Sequence, residues 1–304
     1  MRYRQSSLKS SADQYVRKGR SNDLYHRPAG ISRFVLRGRR MTPLICPVCK
    51  NRKLNSPLHR EQNSLFCGAR HCFDLAKSGC VTFAAPSGDD REMVASRTAF
   101  LETGAYKPFA EALASLMPDG TSTVVDAGCG EGYYSNFFEE KTGALVLGFD
   151  LSKAAVNHAA KTAKSTGTGA FFAVAGIFDL PVASESVDVV TSIFAPISDE
   201  FERILKPGGL LIVGAAGKKH LYELKEAVYD RVYENEGRRD LPKNLKLINE
   251  KNISYKFTCE GDNIRRLFSM TPYCYKTSKD DRAKLDKLDK LEITADFDIF
   301  VYKK

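Results

Sequence analysis

Residues 124–133 read Val-Val-Asp-Ala-Gly-Cys-Gly-Glu-Gly-Tyr. An apolar run ends in an acid, glycines follow at alternate positions (Gly128, Gly130, Gly132), and the helix-compatible stretch YYSNFFEEKT comes next. Glycines there let the backbone turn tightly and approach a ligand with no Cβ in the way. A helix N-terminus behind them offers free N–H groups. Outward from this unit the same rhythm recurs. ALVLGFD, AFFAVAG, VDVVTSIFA, LLIVGAA and the terminal ADFDIFVY read as strands. KAAVNHAAKTAK, SDEFERIL (closed by KPGG) and HLYELKEAVYDRVYENE read as helices between them, and a further helix is expected from about Asn263 to Met270. Strands alternating with helices predict a doubly wound, Rossmann-like α/β sheet.

The loop is G-x-G-x-G and not the G-x-G-x-x-G of nucleotide-redox enzymes, which argues for S-adenosylmethionine over a nicotinamide cofactor. Asp150 supports this. It ends the next strand, 24 residues after Asp126 (150 − 126), where a carboxylate can accept both hydroxyls of a ribose. Asp126, three glycines and Asp150 together are more than a bare tight turn requires. Cys129, inside the loop, reads as a packing residue.

Five of the eight cysteines fall between Cys46 and Cys80, a clustering that favours metal over disulfides in a reducing compartment. Cys46 and Cys49 form a Cys-x2-Cys knuckle. After a 17-residue spacer, Cys67 pairs with His71 or with Cys72. Four such ligands close a tetrahedral zinc site with no open position, so its role is structural.

The chain has 304 residues, 43% of them hydrophobic, enough for one full α/β core and a small accessory domain. Its net charge of +9 is uneven. Residues 1–45 hold 11 basic and 2 acidic residues, and the remainder holds 35 of each (46 − 11 and 37 − 2). Residues 1–40 are Arg- and Ser-rich without hydrophobic periodicity, so a disordered basic extension is expected. It reads as an RNA-grasping arm, as a transit peptide, or as a non-functional extension that could even precede a true start at Met41. No membrane span or signal peptide is expected, so a soluble cytoplasmic protein is. The expected organisation is this extension, a zinc module at 41–85, a helical linker at 86–118 and a cofactor-binding domain at 119–304.

The glycine loop, Asp150, Asp179-Leu180-Pro181 and the run Leu205 to Gly209 resemble class I methyltransferases over about residues 120–304. That resemblance implies a seven-stranded sheet with its last strand antiparallel. With the knuckles in front, the linker GDDREMVASRTAFLETGAYKPF, the loop GCGEGYYS, SIFAP and KKHLYELKE, the chain is similar to the ribosomal RNA large subunit methyltransferase A family over about residues 44–304. The resemblance implies methyl transfer from S-adenosylmethionine to N1 of a guanine in a large-subunit (23S) rRNA hairpin. It implies zinc ligands Cys46, Cys49, Cys67 and His71, and cofactor contacts from Tyr106, Gly132, Tyr133 and His220. Departures are a slightly long knuckle spacer, Cys80 where an aromatic is expected, and the basic first 40 residues. SIFAP (192–196) lacks the Asn/Asp-Pro-Pro-Tyr signature for exocyclic amines and the Pro-Cys nucleophile for cytosine C5, in keeping with a ring nitrogen. No general base stands out. A small-molecule methyltransferase, a methyltransferase for another RNA base and a zinc RNA-binding protein without catalysis are the rival readings. A homodimer could present two zinc modules to one RNA.

Overall fold

The computed structural model describes residues 40–237 and 242–304; the basic extension expected at 1–40 lies almost wholly outside the described residues. The chain opens with β1 (Arg40–Ile45), α1 (Pro47–Lys50), β2 (Pro57–Glu61), β3 (Ser64–Phe66), β4 (Cys72–Asp74) and β5 (Val81–Thr82). The linker carries α2 (Arg91–Leu101) and α3 (Lys107–Ala114), separated at Gly104, whose φ is +79°. Then follow β6 (Thr123–Ala127), α4 (Tyr133–Thr142), β7 (Leu145–Asp150), α5 (Lys153–Thr166), β8 (Phe171–Val174), β9 (Val187–Ile193), α6 (Asp199–Ile204), β10 (Leu205–Ala216) and α7 (Tyr222–Glu226). The chain ends with β11 (Lys246–Glu260), α8 (Asp262–Ser269), α9 (Lys279–Ala283) and β12 (Lys290–Lys303).

The large sheet has the order β11-β12-β10-β9-β6-β7-β8-β5. From β10 to β5 all neighbours run parallel, while β12 is antiparallel to both β10 and β11. Seven of these strands follow the linker, and the last is antiparallel, as expected. The eighth, β5, comes from the chain before the linker and pairs Val81 with Ala173 on β8.

Period-two alternation splits the strand residues between two cores. Val124, Val146, Val189 and Ile212 face a cluster with Phe109, Phe138, Leu267 and Phe297. Their neighbours Val125, Leu147, Val190 and Val213 face a second cluster, completed by Leu180, Val182 and Phe201. Apolar on both faces, these strands have the character of a buried parallel sheet. The second cluster also contains Leu44, Leu58 and Leu65 of the four-stranded antiparallel sheet β1-β2-β3-β4. The two sheets thus share one core. Backbone bonds from Ile45 N to Pro181 O (2.9 Å) and from Ala183 N to Pro43 O (2.9 Å) stitch them together.

One helix is shorter than its periodicity predicts. HLYELKEAVYDRVYENE yields only Tyr222–Glu226. Asn235 reaches back to the carbonyls of Gly217 and His220, and Lys225 Nζ bonds Asn235 and the Tyr233 carbonyl. These tertiary bonds pull the chain out of the helix, overriding propensity. Among the described residues no helix is long and apolar enough to cross a membrane.

Candidate cofactor site and metal centre

The sheet order changes direction between β6 and β9, and open α/β sheets bind ligands at the carboxyl ends of the strands at such a point. Gly128, Gly130 and Gly132 lie there with φ of +80°, +54° and +86°. A Cβ on Gly128 would stand 2.7 Å from Ala195 Cβ, and one on Gly132 would stand 2.6 Å from Ala159 Cβ. These two are packing glycines. Gly130 differs: a Cβ there would meet only the Arg97 Nη1 tip, at an ordinary 3.6 Å, so no tight packing lies on that side.

The two acids divide the work. Asp126 is buried, and its carboxylate oxygens accept from Ser135 Oγ and from Thr191 Oγ1 (2.8 Å). Burial pushes its pKa up to about 6 against those hydroxyls. Buried, and with a hydroxyl on each oxygen, Asp126 braces the loop from beneath. Asp150 sits at the rim, accepting from Gly130 N (3.0 Å) and Ser152 N (2.7 Å). One N–H per oxygen leaves lone pairs for two further donors, as a ribose diol would supply.

Tyr106 and His220 form a second, buried pair. Tyr106 Oη lies 3.2 Å from His220 Nε2, and Asp296 N donates to His220 Nδ1 at 3.3 Å. The network therefore assigns the ring proton to Nε2, donating to the tyrosine. Burial holds His220 neutral, down to about 4, and raises Tyr106 well above the usual phenol range. Tyr106 and His220 pack on Phe297, which stacks on Phe109 at 4.0 Å between centroids, and Phe109 meets Tyr134 at 5.9 Å. This aromatic chain joins the pair to the start of α4, where Tyr133 is half-buried with its hydroxyl pushed up to about 12 by burial. Tyr134 Oη, beside it, is buried and has no hydrogen-bond partner.

Three features went unread in the sequence. Glu131 is buried and pushed up to about 7 by desolvation, opposed by Arg97; its Oε1 accepts from Tyr133 N at 3.2 Å. Arg97, on α2, pairs with Asp89 within the linker at 2.5 Å and lies beside Gly130 of the loop. Lys50 is described below. Glu131 lay within the quoted run, but only its burial reveals a capping role. The uncrowded side of Gly130, the spare lone pairs of Asp150 and the unpartnered Tyr134 hydroxyl fit a bound adenosyl cofactor.

In the small sheet, Cys46 caps α1 and its Sγ receives Cys49 N at 3.5 Å. Arg70, at φ +62°, reverses the chain so that His71 returns to Cys67. His71 Nδ1 lies 3.4 Å from Sγ of each of Cys46, Cys49 and Cys67, and Cys49 and Cys67 sulfurs are 3.8 Å apart. A tetrahedral zinc with Zn–S near 2.3 Å and Zn–N near 2.0 Å requires edges of about 3.8 and 3.5 Å. The residues fit that ion. Cys72 is exposed and turned toward Asp74, so His71 completes the set. Lys50, at the end of α1, bridges to Asp179 (2.5 Å) and Glu200 (2.6 Å) across the junction with the large sheet.

With its strand order, the glycine loop at the switch point and the rim acid Asp150, the large sheet is that of a class I S-adenosylmethionine-dependent methyltransferase, and the closed tetrahedral centre makes the small sheet its zinc ribbon. A methyltransferase-domain family model matches residues 124–209, and the N-terminal zinc-ribbon model of RlmA matches residues 44–83. Bacillus subtilis YxjB, named provisionally as a 23S rRNA (guanine-N1-)-methyltransferase, is 30% identical over 279 residues, covering 85% of this chain and 96% of YxjB. The Streptomyces fradiae 23S rRNA (guanine(748)-N(1))-methyltransferase is 31% identical over 257 residues, covering 79% of this chain and 89% of its own length. The chain belongs to the ribosomal RNA large subunit methyltransferase A family.

Proposed function

We propose that this chain methylates N1 of a guanine in a hairpin loop of large-subunit (23S) rRNA. The observation that carries the reading is the rigidly mounted zinc ribbon. It shares a core with the catalytic sheet and is tied to it by Lys50 and by backbone bonds at Pro181 and Ala183. A small substrate has no use for such a second module, whereas a folded RNA needs to be held over the pocket. The names of the relatives support the same substrate.

When bound, S-adenosylmethionine would supply a sulfonium-activated methyl for in-line attack by guanine N1, with S-adenosylhomocysteine as the leaving group and the N1 proton released. The protein's contribution is therefore positioning. Gly128 and Gly132 pack the loop, and Gly130 leaves room beside it. Asp150 accepts the ribose hydroxyls while Asp126 holds the loop in register. Tyr106, Tyr133 and His220 close the aromatic side of the pocket. Cys46, Cys49, Cys67 and His71 hold a structural zinc that shapes residues 41–85 as the RNA-reading module. Residues 86–118 form the linker to a methyltransferase domain at 119–304. The enzyme works in the cytoplasm, where its substrate is, and a homodimer would bring two ribbons to one RNA.

The test is incubation of zinc-replete protein with S-adenosylmethionine and unmodified 23S rRNA, followed by reverse transcription. Methylation at N1 removes a Watson–Crick donor, so a single new stop in a hairpin loop is expected, absent with Gly130→Arg. Cofactor binding without methyl entering any RNA would overturn the reading.

A further inference from the structure

Phe194 follows β9 in the segment SIFAP, and its backbone is left-handed, with φ of +55°. A bulky aromatic rarely occupies that region, and such strain persists only where the surroundings impose it. Here they do. Phe194 N donates to Gly214 O at 2.9 Å, and Ser192 Oγ donates to the carbonyls of Ala195 (3.1 Å) and Pro196 (3.2 Å). The consequence is a ring presented to solvent: Phe194 is 49% exposed, while its neighbours Phe109 and Phe297 are fully buried.

One side of this ring is backed and the other is not. His220 stacks against it at 6.2 Å and 29°, and Phe109 and Phe297 support it at 5.8 and 6.0 Å. The next residue, Ala195, abuts Gly128 of the glycine loop. The open surface therefore lies beside the cofactor loop, at the carboxyl end of the strand adjoining β6.

We infer that Phe194 is the stacking platform for the target base, holding a purine splayed out of the RNA loop over the reacting methyl. The inference rests on the rRNA reading above and deepens it. Bases recognised in RNA loops are unstacked and re-stacked on protein aromatics, and a base receiving chemistry is extruded into the site. Phenylalanine has no hydrogen-bonding group, so the platform supplies position and stacking area, and other groups read the base edge.

The chain contains no tryptophan, which makes a direct test available. Phe194→Trp installs a single indole at the platform. With S-adenosylhomocysteine present, its fluorescence should be quenched by a hairpin carrying the target guanine, and much less by the same hairpin abasic at that position. Phe194→Leu, which stays apolar but cannot stack, should lose about 5- to 150-fold in kcat/KM for the hairpin, the range expected for one base–aromatic stack. Its affinity for S-adenosylhomocysteine should stay within twofold, and Phe194→Tyr should restore the rate. Equal activity of Phe194→Leu and wild type, or an indole indifferent to the guanine, overturns the platform alone. A wild-type protein that binds cofactor yet methylates no RNA overturns both readings.

Discussion

Replacing Gly128 by alanine tests the packing of the cofactor loop. Two penalties add. The first is the left-handed backbone, φ +80°, which costs an L-residue about 1–2 kcal/mol. The second is the contact: the new Cβ would stand 2.7 Å from Ala195 Cβ, well inside the 3.5–4.0 Å optimum for carbon atoms. Ala195 has little freedom to retreat, because Ser192 holds the turn, and overpacking of this kind costs about 1–3 kcal/mol. The sum is about 2–5 kcal/mol. At an unfolding entropy of about 2.1 cal/mol/K per residue, each kcal/mol moves the melting midpoint of a chain this size by about 1.6 °C. Gly128→Ala should therefore melt about 3–8 °C below wild type by calorimetry at one zinc concentration. The companion Gly128→Ala/Ala195→Gly removes the clash but keeps the backbone penalty, so it should recover about half of the loss. A single variant that melts with wild type, or a double variant that recovers nothing, would refute the contact as the reason for glycine here.

Three further outcomes follow from the same geometry. His71→Ala should lose bound zinc, measured by metal analysis of the purified protein, while Cys72→Ala keeps one zinc per chain; zinc retained by His71→Ala would return the fourth ligand to Cys72. Lys50→Met should cost about 1–3 kcal/mol, nearly all through Glu200, which is 16% exposed, and little through Asp179, which is 63% exposed. Burial alone would raise Glu200, but Arg203 and Lys50 outweigh it and lower its pKa, so the stabilisation is present above about pH 4.5 and the gap to Lys50→Met should close below it in urea titrations. Asp126 has the opposite sign: burial raises it from 3.8 to about 6, so its ionised form is disfavoured in the fold. On acidification from pH 7 to pH 4, wild type should gain up to about 3 kcal/mol over Asp126→Asn, and a pH-independent difference would show that the carboxylate is already neutral or well solvated.

What could be read in the sequence was local. The glycine loop, each strand of the rhythm and the Cys-x2-Cys knuckle lie within about a dozen residues and carry their own spacing. What could not be read was long-range. The two-residue β5 has too little pattern to announce that it extends the sheet against β8, about 90 residues away in sequence. The α7 segment has helical periodicity throughout, and only the Asn235 and Lys225 bonds end it. Asp126 occupies a position that suggests ligand contact. Its brace depends on Thr191, 65 residues distant, so no window around the loop could show both oxygens taken. Spacing alone left His71 and Cys72 open and the resemblance favoured His71; the turn at Arg70 and the outward face of β4 give the physical reason. SIFAP was legible as a segment bearing on the substrate, but the exposure of the Phe194 ring came only with its φ and burial.

These non-local contacts share a route. The zinc ribbon is stitched to residues 181–183, which lead directly into β9. That strand supplies Thr191 to Asp126, and its end supplies Ala195 to Gly128 and Phe194 to the exposed surface beside the loop. One strand thus connects the module proposed to hold the RNA, the brace of the cofactor loop and the platform for the base. Because the ribbon and the sheet share an apolar core, displacing one relative to the other would expose buried leucines and valines on both. Register between RNA and methyl is therefore set by packing, and a loosened junction should lower kcat for RNA before it lowers affinity for the cofactor. Lys50→Met is the variant in which that order of failure can be observed.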